Sequence, residues 1–255
     1  MKTKAPVKKL LLRALTLIVG LFILAGAAIA GYYTIKGYAM YKDAIAKTPI
    51  EGIKDSIAAG CDYITVDELP QIYIDAVLSA EDRRFYTHHG IDYIAIARAV
   101  IKDIQAMSFA EGGSTITQQL AKNQLFSQKK HLERKFAEIF AARAIERAYT
   151  KDEIFEMYVN SIYFGSGFYG ISAASHGYFG EAPINMTDYE AVMLAGLPNA
   201  PSMYSPYNSI ELATRRMTVV LQRMINHGKL TTAEADVIEA EAFIMGFEHF
   251  NLPAA

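Results

Sequence analysis

The hydrophobic pattern begins with an uninterrupted apolar run over residues 14–33. This run holds about twenty uncharged residues, which is the length that crosses a bilayer as a helix. Basic residues precede the run and the first acidic residue is Asp43, so the positive-inside rule predicts a cytoplasmic amino terminus and an extracytoplasmic remainder. A cleaved signal peptide is the alternative interpretation, because Ala28-Ile29-Ala30 has the small residues of a cleavage site.

Helical spacing of apolar residues predominates after Asp67. Asp92 stands before an apolar-periodic stretch that ends near Gln105, and it is the residue type that caps a helix start. Capping boxes and a carboxyl-terminal glycine mark further helix boundaries. These boundaries are residues 150–153, residues 187–190 and Gly228.

Strand signals are few along the chain. Residues 63–66 form a short β-prone segment, and residues 161–169 alternate aromatic residues with glycine in the manner of a loop or a small hairpin. The pattern therefore predicts a mainly α protein with one amino-terminal transmembrane helix. The predicted divisions are a cytoplasmic basic tail over 1–13, the transmembrane helix over 14–33, a juxtamembrane connector over 34–66 and a helical domain over 67–255.

Composition narrows the possible chemistry. The chain has 255 residues and a formal net charge of -2, so its overall charge gives no reason to expect nucleic acid as a partner. Cys61 is the only cysteine, which excludes an intramolecular disulfide, and no Cys/His group has the spacing of a zinc site. Any basic binding site must therefore be a local cluster.

Two polar segments carry candidate chemistry. Glu81 and Asp82 follow a helical stretch over residues 72–80, where the helix dipole disfavours acids, so they need either the adjacent arginines or a function. A solvated, salt-bridged helix end is the alternative interpretation. Residues 111–123 combine glycines, hydroxyls, amides and Lys122, a mixture that can wrap a polar ligand or form a capped loop before a helix.

A basic group comes next in the chain. Lys129, Lys130, Arg134 and Lys135 lie close together, and Glu138 follows Arg134 by one helical turn. Such a run is either a solvated helix face or an anion site. The apolar residues around it favour partial burial, and an acid beside buried cations is less ordinary than a solvated face.

In combination, these segments resemble glycosyltransferase family 51, the peptidoglycan glycosyltransferase domain of class A penicillin-binding proteins and of monofunctional transglycosylases. The resemblance covers residues 69–230 and includes five family motifs in order. It departs from the family at Glu181, where lysine is common, and at Phe168 and Ser172. The motifs are Glu81-Asp82 through Phe85, His88 and Gly90; Gly112 to Asn123; Arg134-Lys135 with Glu138 and Tyr158-Val159-Asn160; Tyr169-Gly170-Ile171 to Tyr178-Phe179-Gly180; and Leu194 to Pro198 with Tyr204 to Pro206.

The resemblance implies a lysozyme-like helical domain with a small membrane-proximal jaw. It implies that the 4-hydroxyl of lipid II attacks the anomeric carbon of the growing chain, with Glu81 as the base. Glu138 is implied beside the leaving pyrophosphate, where it either positions a divalent cation (Mg²⁺ or Mn²⁺) or tunes the basic residues; no organic cofactor is expected. The implied substrate-binding residues are Asp82, Arg83, Ser114, Thr115, Gln118, Gln119, Lys122, Asn123, Arg134 and Lys135.

The implied partners are lipid II, the growing glycan strand and membrane lipids, with proteins of cell-wall synthesis or division as further candidates. A lytic enzyme that cleaves glycan on the same fold is one alternative function. An inactive scaffold that binds lipid II is the other. The chain ends at Ala255 without a transpeptidase domain, so the resemblance is to the monofunctional type or to a truncated chain.

Overall fold

The structure, a computed structural model, describes residues 4–106, 113–127 and 132–245, and it confirms the predicted mainly α class. Short 3-10 helices and one small hairpin complete the described part of the chain. The α-helices are α1 Lys4–Lys47, α2 Ile53–Ala58, α3 Gln71–Glu81, α4 Tyr93–Ala106, α5 Ile116–Leu125, α6 Leu132–Ala148, α7 Lys151–Ser161, α8 Ile171–Phe179, α9 Asp188–Gly196, α10 Pro201–Tyr204, α11 Ile210–Asn226 and α12 Thr232–Met245.

Helix α1 contains the apolar run and extends well beyond it. The stretch Leu12–Lys47 is long and apolar enough to cross a membrane, and side chains such as Leu21 and Phe22 are exposed on it. The connector predicted over 34–66 is helical up to Lys47, because this part of α1 packs along α6 instead of leaving the membrane as a loose segment. The divisions predicted for the chain remain predictions.

Helix α9 forms the centre of the packed helices that follow α2. Every residue from Tyr189 to Gly196 is buried, and the helix packs between α3 and α11. A helix that is apolar on all sides needs cover on all sides, and α8 and α12 contribute to that cover. Helix α3 is therefore held firmly at the core, and its carboxyl end, Glu81, lies where the core meets the surface.

The predicted helix boundaries are confirmed. Asp92 Oδ1 accepts the Ala95 amide at 2.8 Å at the start of α4. Thr150 and Thr187 each take part in a complete capping box at the starts of α7 and α9. Gly228 has a φ of +69° just after α11, a conformation that glycine adopts without strain. These boundaries depend on neighbours in sequence, so the pattern was sufficient to find them.

The two strand signals had different outcomes. A small antiparallel hairpin forms from β1 Tyr163–Gly165 and β2 Phe168–Tyr169, as one interpretation of this segment predicted. The β-prone residues 63–66 form no strand, because side chains satisfy their backbone. The Asn160 side chain accepts from the Ile64 amide and donates to the Ile64 carbonyl, while Glu156 accepts from the Val66 amide.

Candidate active site

A polar cleft of about 580 Å³ opens beside the carboxyl end of α3. Helices α4, α5 and α11 supply its other walls, together with the segment after α9. The fold thus brings together residues from five separate parts of the sequence. The predicted site residues that line it are Glu81, Asp82, Arg83, Ser114, Gln119 and Lys122.

Glu81 lines this cleft and has one carboxylate oxygen without a hydrogen-bond partner among the described residues. Its Oε2 atom accepts a hydrogen bond from Gln119 Nε2 at 2.7 Å. Its Oε1 atom is buried and has no hydrogen-bond partner among the described residues. A carboxylate oxygen is a proton acceptor, and an orphaned buried one is costly unless a ligand completes it. Glu81 Oε1 is therefore the oxygen that could accept a hydrogen bond or a proton from a ligand.

Asp82 holds two parts of the site together. His88 Nε2 donates to its Oδ2 at 2.9 Å, and the Ile116 amide donates to the same oxygen at 3.0 Å. The side chain is buried, so these contacts link the end of α3 to the start of α5. Its substrate-binding role remains a prediction, and its contacts fix the end of α3, which carries Glu81, against the start of α5.

Part of the polar segment around the start of α5 lines the cleft, and another part caps the helix inside the protein. Thr115 Oγ1 accepts from the Gln118 amide, Gln118 Oε1 accepts from the Thr115 amide, and Thr115 Oγ1 also donates to the Gly90 carbonyl. Both side chains are only 2% exposed, so they form a capping box inside the protein. Asn123 is half-buried on α5 outside the cleft lining, and the earlier part of the motif, 111–112, lies outside the described residues.

The basic group forms an ion-pair cluster around one buried acid. Glu138 is 2% exposed; Arg134 Nε lies 3.1 Å from its Oε1 and Lys135 Nζ lies 2.9 Å from its Oε2. Lys135 Nζ also donates to Ser114 Oγ at 2.7 Å, which joins α6 to the cleft wall. Lys129 and Lys130 lie outside the described residues.

Lys122 connects this cluster to Glu81. Burial lowers the pKa of Lys122, the nearby Glu138 carboxylate opposes that shift, and Arg134 and Lys135 reinforce it. The field of Glu81 also reaches Lys122, in the direction that raises its pKa. A cation that is crowded by other cations gains from a bound anion, so the cluster is suited to a phosphate or pyrophosphate group.

The residues present do not fit a resident metal cage. Both oxygens of Glu138 are already paired with cations, and the described residues contain no group of three or more His, Cys, Asp or Glu side chains that could hold an ion. Mg²⁺ commonly binds through one or two carboxylates and substrate phosphates, and of the oxygens of Glu81 and Glu138 only Glu81 Oε1 is without a partner among the described residues. The divalent cation therefore remains a prediction, and no chemical step below depends on it.

A second set of basic side chains lines the cleft and was missed from the sequence. Arg216 is 8% exposed, its Nε donates to the Gly196 carbonyl, and its Nη2 has no partner within the described ranges. Burial lowers its pKa from the ordinary arginine value. The sequence contained one signal for this residue, because Arg216 stands on the apolar face of α11 beside Ala213 and Met217, where a cation is unusual. The other basic lining residues that were missed are Arg98, Lys102, Arg223 and His227.

The chain is similar to several known proteins. The family model described as "Transglycosylase" matches residues 51–225. Penicillin-binding protein 1A of Aquifex aeolicus is 45% identical over 169 residues, which cover 66% of this chain and 23% of that protein. Penicillin-binding protein 1A of Escherichia coli is 42% identical over 179 residues, which cover 70% of this chain and 21% of that protein.

A shorter relative matches over most of its length. A Cupriavidus necator protein that is provisionally named a transglycosylase is 42% identical over 175 residues, which cover 69% of this chain and 75% of that protein. The crystal structure of penicillin-binding protein 1A from Haemophilus influenzae matches with a TM-score of 0.41 and 23% identity, over 70% of this chain and 17% of that one. The chain thus spans less than a quarter of the penicillin-binding relatives described above.

Proposed function

Because this chain belongs to the transglycosylase family, we propose that it is a membrane-anchored peptidoglycan glycosyltransferase. In this proposal it polymerises lipid II into β-1,4-linked glycan and releases undecaprenyl pyrophosphate. The observation that carries the proposal is the unpartnered Glu81 Oε1 in a cleft that also contains Lys122 of the basic cluster. Family membership brings with it the lysozyme-like fold class that the resemblance implied.

Glu81 would act as the general base. Its Oε1 takes the proton of the acceptor 4-hydroxyl while that oxygen forms a bond to the anomeric carbon of the donor. The bond between the anomeric carbon and the pyrophosphate oxygen breaks, and the pyrophosphate leaves with the electron pair. Gln119 holds the other carboxylate oxygen, so the proton acceptor keeps a defined orientation. The α-linked donor is converted into a β-linked product because attack occurs on the face opposite the leaving group.

The basic cluster would stabilise the departing pyrophosphate. Lys122, Arg134 and Lys135 supply positive charge, and preorganised charge aimed at a developing anion lowers the barrier without rearrangement during the reaction. Glu138 keeps Arg134 and Lys135 in place through its two ion pairs. Cleavage of a finished glycan strand produces no pyrophosphate, so a lytic enzyme would have no use for this cluster.

The membrane would present the lipid-linked substrate to the cleft. In this proposal helix α1 anchors the chain, and the basic residues before the apolar run support an amino terminus in the cytoplasm and a cleft on the extracytoplasmic side. Helix α4 adds exposed apolar side chains at Tyr93, Ile94 and Ile101, which suit a lipid-facing jaw. Both tails of a polyprenyl donor and acceptor could then stay in the bilayer.

The test is polymerisation of labelled lipid II by detergent-solubilised protein, followed on a gel. We expect the wild type to form a muramidase-sensitive ladder and Glu81→Gln to lower the rate by about 10²- to 10⁴-fold, the usual contribution of a general base. Glu211→Gln is the matched control, because Glu211 is an exposed glutamate on α11 that pairs only with Arg215 in the described structure.

Each alternative function has its own outcome. Cleavage of preformed glycan by the wild type, without polymer formation, would show a lytic enzyme. Binding of lipid II without turnover would show a scaffold. Equal activity of the wild type and Glu81→Gln would remove Glu81 from the role of base.

A further inference from the structure

The membrane helix and the helix of the basic cluster form one parallel helix pair. Tyr33 stacks on Phe136 with ring centroids 6.1 Å apart, and Tyr38 meets Phe140 edge to face at 5.2 Å. Further along, Ile45 of α1 lies beside Ala144, Arg147 and Ala148 of α6. The residue numbers rise together along both helices, so α1 and α6 run in the same direction.

Gly37 lies at a close approach of this pair. It is buried in the middle of α1, and a methyl group there would come within 2.5 Å of Phe136 Cβ and within 2.9 Å of the Ala137 nitrogen and the Glu133 carbonyl oxygen. Two of these three neighbours are backbone atoms that cannot turn aside. Any larger residue at position 37 must therefore push α1 and α6 apart.

The register of the pair sets the height of the basic cluster above the apolar run. Because Phe136 is level with Gly37, the residues Arg134 to Glu138 lie about 3 to 9 Å beyond the level of Tyr33, at a rise of about 1.5 Å per residue. Headgroups add about 5 to 7 Å on each side of a hydrocarbon core about 30 Å thick. If the hydrocarbon core ends at Tyr33, this height matches the depth of lipid phosphates.

We propose that the α1–α6 pair fixes the depth of the anion site in the membrane, and that Gly37 is its positioning residue. The inference rests on the proposed function, because a lipid-linked pyrophosphate is held at headgroup depth by its own tail. Helix α1 is continuous from Lys4 to Lys47, so no loop between the bilayer and α6 can absorb an error in height. A flexible tether would keep the domain near the membrane without setting this depth.

The experiment compares Gly37→Leu with Gly31→Leu. Gly31 lies on the same helix, and no atom of the described structure lies within 4 Å of a methyl group placed there, so the control adds the same side chain without a clash. Each protein is assayed with lipid II in unilamellar vesicles and with a detergent-dispersed lipid II analogue that carries a short isoprenyl chain. The analogue is not held at a fixed depth.

We expect Gly37→Leu to lower the vesicle rate by about tenfold or more, since small displacements of reacting groups have effects of this size. Its rate on the short-chain analogue should stay within about twofold, as should both rates of Gly31→Leu. An equal loss on both substrates would mean that α6 itself is damaged and would overturn the inference. Unchanged rates on both substrates would overturn it too.

A depth measurement gives a second, activity-independent readout. A fluorophore is attached to Ser127→Cys in a Cys61→Ser background, because Ser127 is exposed and lies next to Arg134. Lipids that carry bromine or nitroxide at known depths then quench the fluorophore according to its depth. We expect headgroup-level quenching in the parent protein and a displaced label in Gly37→Leu. The label should also be displaced in the double variant Tyr38→Ala/Tyr41→Ala, because this variant loses the packing on Phe140 without introducing a clash. An unmoved label in both variants would refute the inference.

The two proposals can fail separately. If the parent protein forms no polymer from either substrate, the proposed function fails, and the label depth still decides whether α1 and α6 set the height of the cluster.

Discussion

Glu81 and Glu138 are two glutamates of the predicted site with opposite surroundings. Glu138 is buried with a cation on each oxygen, Arg134 on Oε1 and Lys135 on Oε2. Glu81 receives one amide hydrogen bond from Gln119, and its other oxygen is buried without a partner in the described part of the chain. The same side chain is thus locked as a fixed charge in one place and left available in the other.

This difference shows how one residue type can serve two purposes. A carboxylate whose oxygens are both ion-paired contributes by holding its cations, because it has no free oxygen for a substrate proton. A carboxylate with an orphaned oxygen costs stability in the free protein and gains a partner only when a ligand arrives. The contrast can be tested by removing each charge or its support in turn.

The largest effect beyond loss of the base is expected for Glu138→Gln. Without the charge, Arg134 and Lys135 repel each other and Lys122, so kcat/KM for lipid II should fall by about 10²-fold. The free energy of unfolding should fall by about 1–3 kcal/mol, because charged hydrogen bonds are lost in a buried place. Thermal and urea unfolding measure the second effect.

The effect of Glu81→Gln on the free energy of unfolding is to be compared with that of Glu138→Gln. The free energy of unfolding of Glu81→Gln should fall by less than that of Glu138→Gln, because glutamine keeps an oxygen that accepts the Gln119 hydrogen bond and the unpartnered Oε1 contributes nothing favourable to the folded state. Equal destabilisation by the two substitutions would show that the two surroundings do not differ in the way described above.

An intermediate effect is expected for Gln119→Ala. This change removes the hydrogen bond that orients the Glu81 carboxylate, and hydrogen bonds to charged groups contribute about 1.5–3 kcal/mol, so kcat should fall by about tenfold or more. KM for lipid II should change less than kcat. Gln222→Ala is the control, since Gln222 is an exposed glutamine on α11. Steady-state kinetics that show a loss in KM alone would assign Gln119 to substrate binding instead.

The smallest effect is expected in the pH dependence of the rate, through the loss of the Lys122 proton. Burial lowers the pKa of this lysine from its ordinary value of 10.5, so the wild type should lose its cation, and part of its rate, at a less alkaline pH than an exposed lysine would. Lys122→Arg should keep a higher fraction of its activity there, because arginine remains protonated. A pH profile of kcat/KM with the same alkaline decline in both proteins would exclude Lys122 as its cause.

The sign of the linked stability effect is opposite to that of the rate. The folded protein binds the Lys122 proton more weakly than the unfolded chain does, so the unfolded state carries more protons between the two pKa values. The contribution of Lys122 to the free energy of unfolding should therefore rise as the pH rises through that window. Urea unfolding at several pH values, compared with Lys122→Arg, measures this contribution.

Much of the architecture was predictable because it depends on sequence neighbours. The apolar run before Asp43, the Asp92 cap and the two threonine capping boxes were all readable from spacing, since a helix places residues three and four apart on one face. The candidate base and the basic group also came from local patterns, with the resemblance supplying their roles. The structure places Glu81 and Lys122 in one cleft, as expected of a shared site.

Other features were decided only by packing between distant segments. Thr115 and Gln118 look like ligand-binding residues in a polar motif, yet the fold uses them to cap α5 against Gly90. Residues 63–66 have strand-like composition, yet the Asn160 side chain satisfies their backbone and no strand forms.

The sequence by itself determined the anchor, the helices and the residue types of the site, because spacing along one chain encodes which face of an element is apolar. Tertiary structure decided which glutamate keeps a free oxygen, that Arg216 enters the cleft, and that α1 runs on beside α6 with Gly37 at the contact. These outcomes depend on distances between residues that are far apart in sequence, and only the packed chain sets those distances.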